Sequence, residues 1–106
     1  MGFNQRDIMR QVQQMQDRMS KAQEEIAATT VEGSAGGGVV TVTMTGDQEL
    51  KGVTIRPEAV DPDDVETLQD LVYAAVSDAL QRSKDLQTER LGQVTGGMGL
   101  PPGLGF

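Results

Sequence analysis

"VEGSAGGGVVTVTMTG", residues 31–46, decides the fold. Its second half alternates, with Val40, Val42 and Met44 on one face and Val39, Thr41, Thr43 and Thr45 on the other, the period-two signature of a half-buried strand. Directly before that strand stand Gly36, Gly37 and Gly38. A phosphate-cradling loop needs backbone N–H groups aimed at an anion, normally with a lysine, a serine or threonine at fixed places, and a helix following. "GSAGGG" has no lysine and leads into a strand. A dinucleotide-binding loop needs a strand before it, whereas the segment before this one is helical. The glycines therefore read as a hairpin turn that requires positive φ at several residues.

Working outward, the strand is followed by "GDQE" and then "LKGVTI", where Val53 and Ile55 share a face. A four-residue loop at Gly46 to Glu49 sets Val42 opposite Val53 and Val40 opposite Ile55, so both apolar sets meet on one face. Upstream, "TTVEGSA" supplies a further strand that folds back at the glycines, completing a three-stranded antiparallel sheet.

The flanks are helical. From about Asn4 to Ala28 there is no Gly or Pro, and Ile8, Val12, Met15, Met19, Ala22 and Ile26 recur at alternating spacings of four and three. At 100° per residue these positions span an arc of only about 80°, a seam suited to one partner helix. On the other side of the sheet, "DPDDVE" announces a second helix: Asp61 fits an N-cap, Pro62 the first helical position and Asp64 the positively polarised first turn. That helix is expected to reach about Leu91. Val65, Leu68, Leu71, Val72, Ala75, Val76, Ala79 and Leu86 cover a wider arc of about 140°, enough to pack on a sheet and a helix together. From Gly92 the chain reads "GQVTGGMGLPPGLGF", uncharged and rich in Gly and Pro, a flexible tail outside the core. The fold class is α+β, in the order α-β-β-β-α.

Composition constrains the rest. The 106 residues include two Phe, one Tyr, no Trp and no Cys, so the core is small and has no disulfide to support it. Homodimerisation is the expected remedy, with Ile8, Val12, Met15, Met19, Ile26, Val40, Val42, Leu68, Leu71, Val72 and Val76 supplying core and dimer contacts. The absence of His and Cys removes the commonest general base, the thiol nucleophile and the usual zinc ligands. Clustered acids at a helix start are explained by capping. No enzyme activity, metal or cofactor is expected. With no membrane-spanning stretch and no signal peptide in "MGFNQRDIMR", the expected location is the cytoplasm.

The order of a heptad helix, "VEGSAGGGVVTVTMTG", a return strand ending "VTIRPEAVDP", then "LQDLVYAAVSDAL" and "TGGMGLPPG" resembles the YbaB/EbfC family of bacterial nucleoid-associated proteins over nearly the whole chain. The resemblance implies an intertwined homodimer whose helices project as paired arms that grip duplex DNA, and a place in the nucleoid. On this expectation residues 1–91 form the DNA-binding and dimerisation domain and 92–106 the tail.

Charge bears directly on that expectation. The formal net charge is −7, which repels DNA at long range. The acidity is uneven: residues 1–29 hold four basic and four acidic side chains, residues 57–91 three basic and nine acidic. Arg6, Arg10, Arg18 and Lys21 lie on the first helix away from its apolar seam, and the helix dipole and free amine add positive potential near Arg6 and Arg10. Arg82, Lys84 and Arg90 are weaker candidates, diluted by Asp78, Asp85 and Glu89. Phe3, Tyr73 and Phe106 are too scattered to form a stacking platform for single strands. The competing expectation is an acidic protein-interaction module that works with a DNA repair or recombination protein.

Overall fold

A computed structural model of the chain describes residues 5–96. The elements are α1 (Gln5–Ala28), β1 (Thr30–Ala35), β2 (Val40–Thr45), β3 (Leu50–Ile55), a single 3-10 turn at Pro57–Ala59, and α2 (Val65–Gly96). The sheet is antiparallel in the order β1-β2-β3. This is the expected α-β-β-β-α order. The far tail (residues 97–106), Phe3, Phe106 and the amino terminus lie outside the described residues. α2 passes its expected end near Leu91 and runs on to Gly96.

The glycine run does what its sequence requires. Gly36, Gly37 and Gly38 have φ of 64°, 73° and 95°, so three consecutive residues occupy a region that side-chain-bearing residues rarely adopt. The turn sets Ala35 opposite Val40 and carries the pairing to Thr30 opposite Thr45. In the second hairpin Val40 faces Ile55 and Val42 faces Val53, as the alternation predicts. A bulge at Thr43/Met44 then sets Met44 opposite Leu50. The Gly46–Glu49 loop is closed by the Thr45 N–H donating to the Glu49 carbonyl at 2.8 Å. The Thr45 hydroxyl accepts the Glu49 N–H at 2.9 Å and donates to the Asp47 carboxylate.

The helix start needs correction. Asp61 does not cap α2; its carboxylate accepts the Asp63 N–H at 2.9 Å and its carbonyl accepts the Asp64 N–H, which makes a separate turn containing Pro62. The cap is Asp64, whose carboxylate accepts the Thr67 N–H at 3.3 Å and the Thr67 hydroxyl at 2.6 Å. The Thr67 hydroxyl first, and its N–H second, hold the Asp64 carboxyl below the usual carboxylate range. Two acids within reach of one helix start are equally good caps on paper, and the turn geometry selects the second.

α2 lies across β1 and β2. Ala75 and Ala79 are buried against Val40, Val42 and Met44, with Leu68, Leu71, Val72 and Val76 half-buried around them. Small residues face the sheet because the two backbones nearly touch. A Cβ on Gly33 would stand 2.3 Å from the Ala79 nitrogen and 2.5 Å from the Ala75 carbonyl oxygen. Farther along, the buried Ser83 hydroxyl lies 2.8 Å from the Thr45 carbonyl and 2.9 Å from that of Gly46, sharing its proton between them. That bond ties α2 to the end of β2. The end of α1 is secured at the same place, where the Gly46 N–H donates to the Ile26 and Thr29 carbonyls.

β3 keeps the expected register but is left uncovered. Its apolar residues share the core-side face, yet α2 stops short of them: Leu50, Val53 and Ile55 are 55%, 45% and 40% exposed. On α1 the seam is likewise only partly covered. Ala22 and Ile26 are buried and Met19 half-buried, whereas Ile8, Val12 and Met15 are exposed. The hydrophobic pattern is in register with both surfaces, and one chain is too small to cover them. The molecule is elongated, 77 × 24 × 16 Å, with a radius of gyration of 20.1 Å against about 13 Å for a compact chain of this length.

Candidate nucleic-acid interface

The outer ends of the two helices make a stem beyond the sheet. Leu86 and Ile26 meet at Gly46, Arg90 pairs with Glu25, and Val94 shares a cleft with Arg18. As numbers rise on α2 they fall on α1, so the helices are antiparallel. The chain from Arg18 back to Arg6 continues along α1 for about 18 Å at 1.5 Å per residue.

The cationic residues expected from sequence fall into three groups. Arg18, Lys21 and Arg90 come together in one cleft between α1 and α2, lined also by Ala22, Glu25, Gln93 and Val94. Arg18 and Lys21 thus border the α2-facing side of α1. Arg6 and Arg10 are exposed on the first turns of α1, with Asp7 between them in sequence. Arg82 is engaged elsewhere: its Nε donates to Asp78 at 3.2 Å, and it borders a second cleft with Glu32, Asp85 and Glu89. Lys84 is exposed on α2, outside the residues that line either cleft.

Asp78 belongs to the scaffold. Its carboxylate accepts the Ser34 N–H at 3.0 Å as well as the Arg82 Nε, which joins α2 to β1. The Ser34 N–H first, and Arg82 second, hold its carboxyl below the ordinary value. Arg90 makes a weaker bond, its Nη1 lying 3.4 Å from the Glu25 carboxylate across the stem. Gln93 is a cleft residue that sequence reasoning missed. It stands three positions after Arg90, one helical turn onward, and that spacing is the signal that could have found it. Among the described residues no group of three or more acidic side chains is arranged to hold a metal ion, and no helix is long and apolar enough to cross a membrane.

The architecture defines a class: a small α+β protein in which one sheet and one long helix form a body, while the helix ends carry paired cations away from it. No helix follows the glycine turn, so the turn serves the sheet. The chain belongs to the YbaB/EbfC DNA-binding family, which it matches over residues 1–98. A nucleoid-associated protein of Chloroflexus aurantiacus is 55% identical over 96 residues, covering 91% of this chain and 96% of that protein. Another from Acetivibrio thermocellus is 50% identical over 103 residues, covering 97% and 91% respectively. The fold is shared with a crystal structure of an uncharacterized Helicobacter pylori protein, at a TM-score of 0.69 and 21% identity, over 92% of this chain and 99% of that one.

Proposed function

We propose that this chain is a homodimeric nucleoid-associated protein that grips duplex DNA with low or modest sequence preference, organising the nucleoid of a bacterial cell and modulating gene expression. The observation that carries the reading is the separation of charge along the molecule. Arg6, Arg10, Arg18, Lys21 and Arg90 lie on the projecting stem, where α1 balances four basic side chains against four acidic ones, while residues 57–91 hold nine acidic side chains against three basic. Membership of a DNA-binding family and the names of the relatives support the same conclusion. Phosphate contacts of this kind position a protein without reading sequence, which fits the absence from the described residues of a base-reading helix of any familiar docking type.

The uncovered surfaces support the dimer. The chain exposes 7870 Å², against roughly 5,700 Å² for a compact monomer of 11.3 kDa. The excess is of the size that a stable protein interface buries. Leu50, Val53 and Ile55 offer a second copy a contiguous apolar strip beside the core. Two stems on one dimer turn a weak phosphate contact into a usable one, because the second engages at high effective concentration. In this reading residues 1–91 carry dimerisation and DNA contact, and residues 92–96, the start of the Gly- and Pro-rich segment, still belong to α2.

The test is charge reversal at the far end of α1. R6E/R10E is expected to abolish retention of random-sequence duplex in a gel-shift assay while the variant sediments as the wild type does. Undiminished retention would refute the stem as the DNA-contacting surface.

A further inference from the structure

We propose that the cleft between α1 and α2 is a backbone-phosphate site in which Glu25 competes with the DNA for Arg90. The inference rests on the DNA-binding reading and adds to it a residue that sets affinity from within the site. Three cations, Arg18 and Lys21 of α1 and Arg90 of α2, line the cleft with one carboxylate, Glu25 of α1, with the Gln93 amide as a neutral donor and Ala22 and Val94 as apolar lining. In a chain of net charge −7 this is a local reversal of sign formed by two helices together.

The Glu25–Arg90 pair is built to exchange. Its 3.4 Å separation is long for a charge-assisted bond, which is ordinarily about 2.7–2.9 Å. The Glu25 side chain is 62% exposed and that of Arg90 36%, and exposed pairs of this kind add little to stability. A phosphodiester presents two acceptor oxygens to the planar guanidinium, matches it in a bidentate fork, and meets Arg18 and Lys21 at the same time. When phosphate enters, Arg90 turns from the carboxylate to the ligand. Glu25 then stays beside the bound anion and repels it. The carboxylate thus holds Arg90 in the free protein and lowers affinity in the complex, keeping the grip reversible.

The experiment compares E25Q with E24Q in the full-length chain, using random-sequence duplex at low salt. Glu24 is the neighbouring acid, exposed on α1 and outside the cleft lining, so E24Q controls for the loss of one negative charge. E25Q is expected to bind about threefold more tightly than E24Q. In an R90Q background, where affinity itself falls, that advantage is expected to shrink to the part that direct repulsion by Glu25 supplies. Equal affinity of E25Q and E24Q, or the same E25Q advantage with and without Arg90, overturns the proposal while leaving the DNA-binding reading intact. Failure of the wild-type chain to retain duplex overturns both. Far-UV circular dichroism of each variant establishes that the helices persist.

Discussion

Gly33 offers the sharpest test of how the body is held together. In G33A the new methyl would sit 2.3 Å from the Ala79 nitrogen, 2.5 Å from the Ala75 carbonyl oxygen and 2.7 Å from the Ala79 Cα. All three are backbone atoms of α2, so no side-chain rotation relieves the clash. Reaching ordinary contact distance requires the helix to retreat by about 1 Å, and a gap of that size forfeits up to half of each dispersion contact it opens. The contacts at stake are those of Ala75 and Ala79 with Val40, Val42 and Met44, the centre of the core. Overpacking ordinarily costs about 1–3 kcal/mol, and an obstruction by fixed backbone belongs at or above the upper end. A loss of about 3 kcal/mol from a small domain lowers Tm by roughly 12 °C or more. The control is G52A, on exposed β3, where an added Cβ meets nothing within 4 Å and the expected change is within about 0.5 kcal/mol. Both are followed by thermal circular dichroism at matched protein concentration, because the proposed self-association makes Tm depend on it. If G33A melts with G52A, the close packing of α2 on β1 is wrong.

Three further outcomes follow from the same geometry. S83A leaves the buried Thr45 and Gly46 carbonyls without that hydroxyl donor and is expected to cost about 1–3 kcal/mol in urea denaturation, with an unchanged m-value. Asp78 titrates below its ordinary value in the folded chain, so its contribution is full above the unfolded pKa of about 3.9 and is lost as pH falls through the lower folded value. D78N is therefore expected to be less stable than wild type at pH 7, with the difference in Tm narrowing once pH falls below about 4; a constant difference would refute the assignment. V53D/I55D places two charges on the uncovered strip of β3 and is expected to sediment as a monomer at concentrations where the wild type is a dimer.

Much of the fold is legible in the chain because local signals agree with the tertiary arrangement. Three glycines before a Val/Thr alternation need positive φ and supply it, and the Val40–Ile55 and Val42–Val53 pairs follow from strand period and loop length alone. What stayed hidden depends on distances between elements. Gly33 looks like a weak strand residue until α2 lies against it, and Ser83 looks like one more polar helix position until the end of β2 comes within hydrogen-bonding distance. Asp61 and Asp64 have the same capping chemistry, and only the turn decides between them. At the stem, sequence supplies the cations but not the grouping. Arg90 comes beside Arg18 and Lys21 because an antiparallel pairing of distant segments aligns them, and Arg82 leaves the set because Asp78 takes it.

On the reading proposed above, paired stems bearing Arg and Lys hold duplex DNA by its phosphates despite an acidic body. Fluorescence anisotropy of a labelled random-sequence duplex, titrated with the purified chain alone across a series of salt concentrations, tests it most directly. Binding is expected at low salt with two chains per complex, and with an affinity that falls on a log–log plot with a slope of about −0.9 for each phosphate neutralised. A flat salt profile, or binding only after another protein is added, would contradict it.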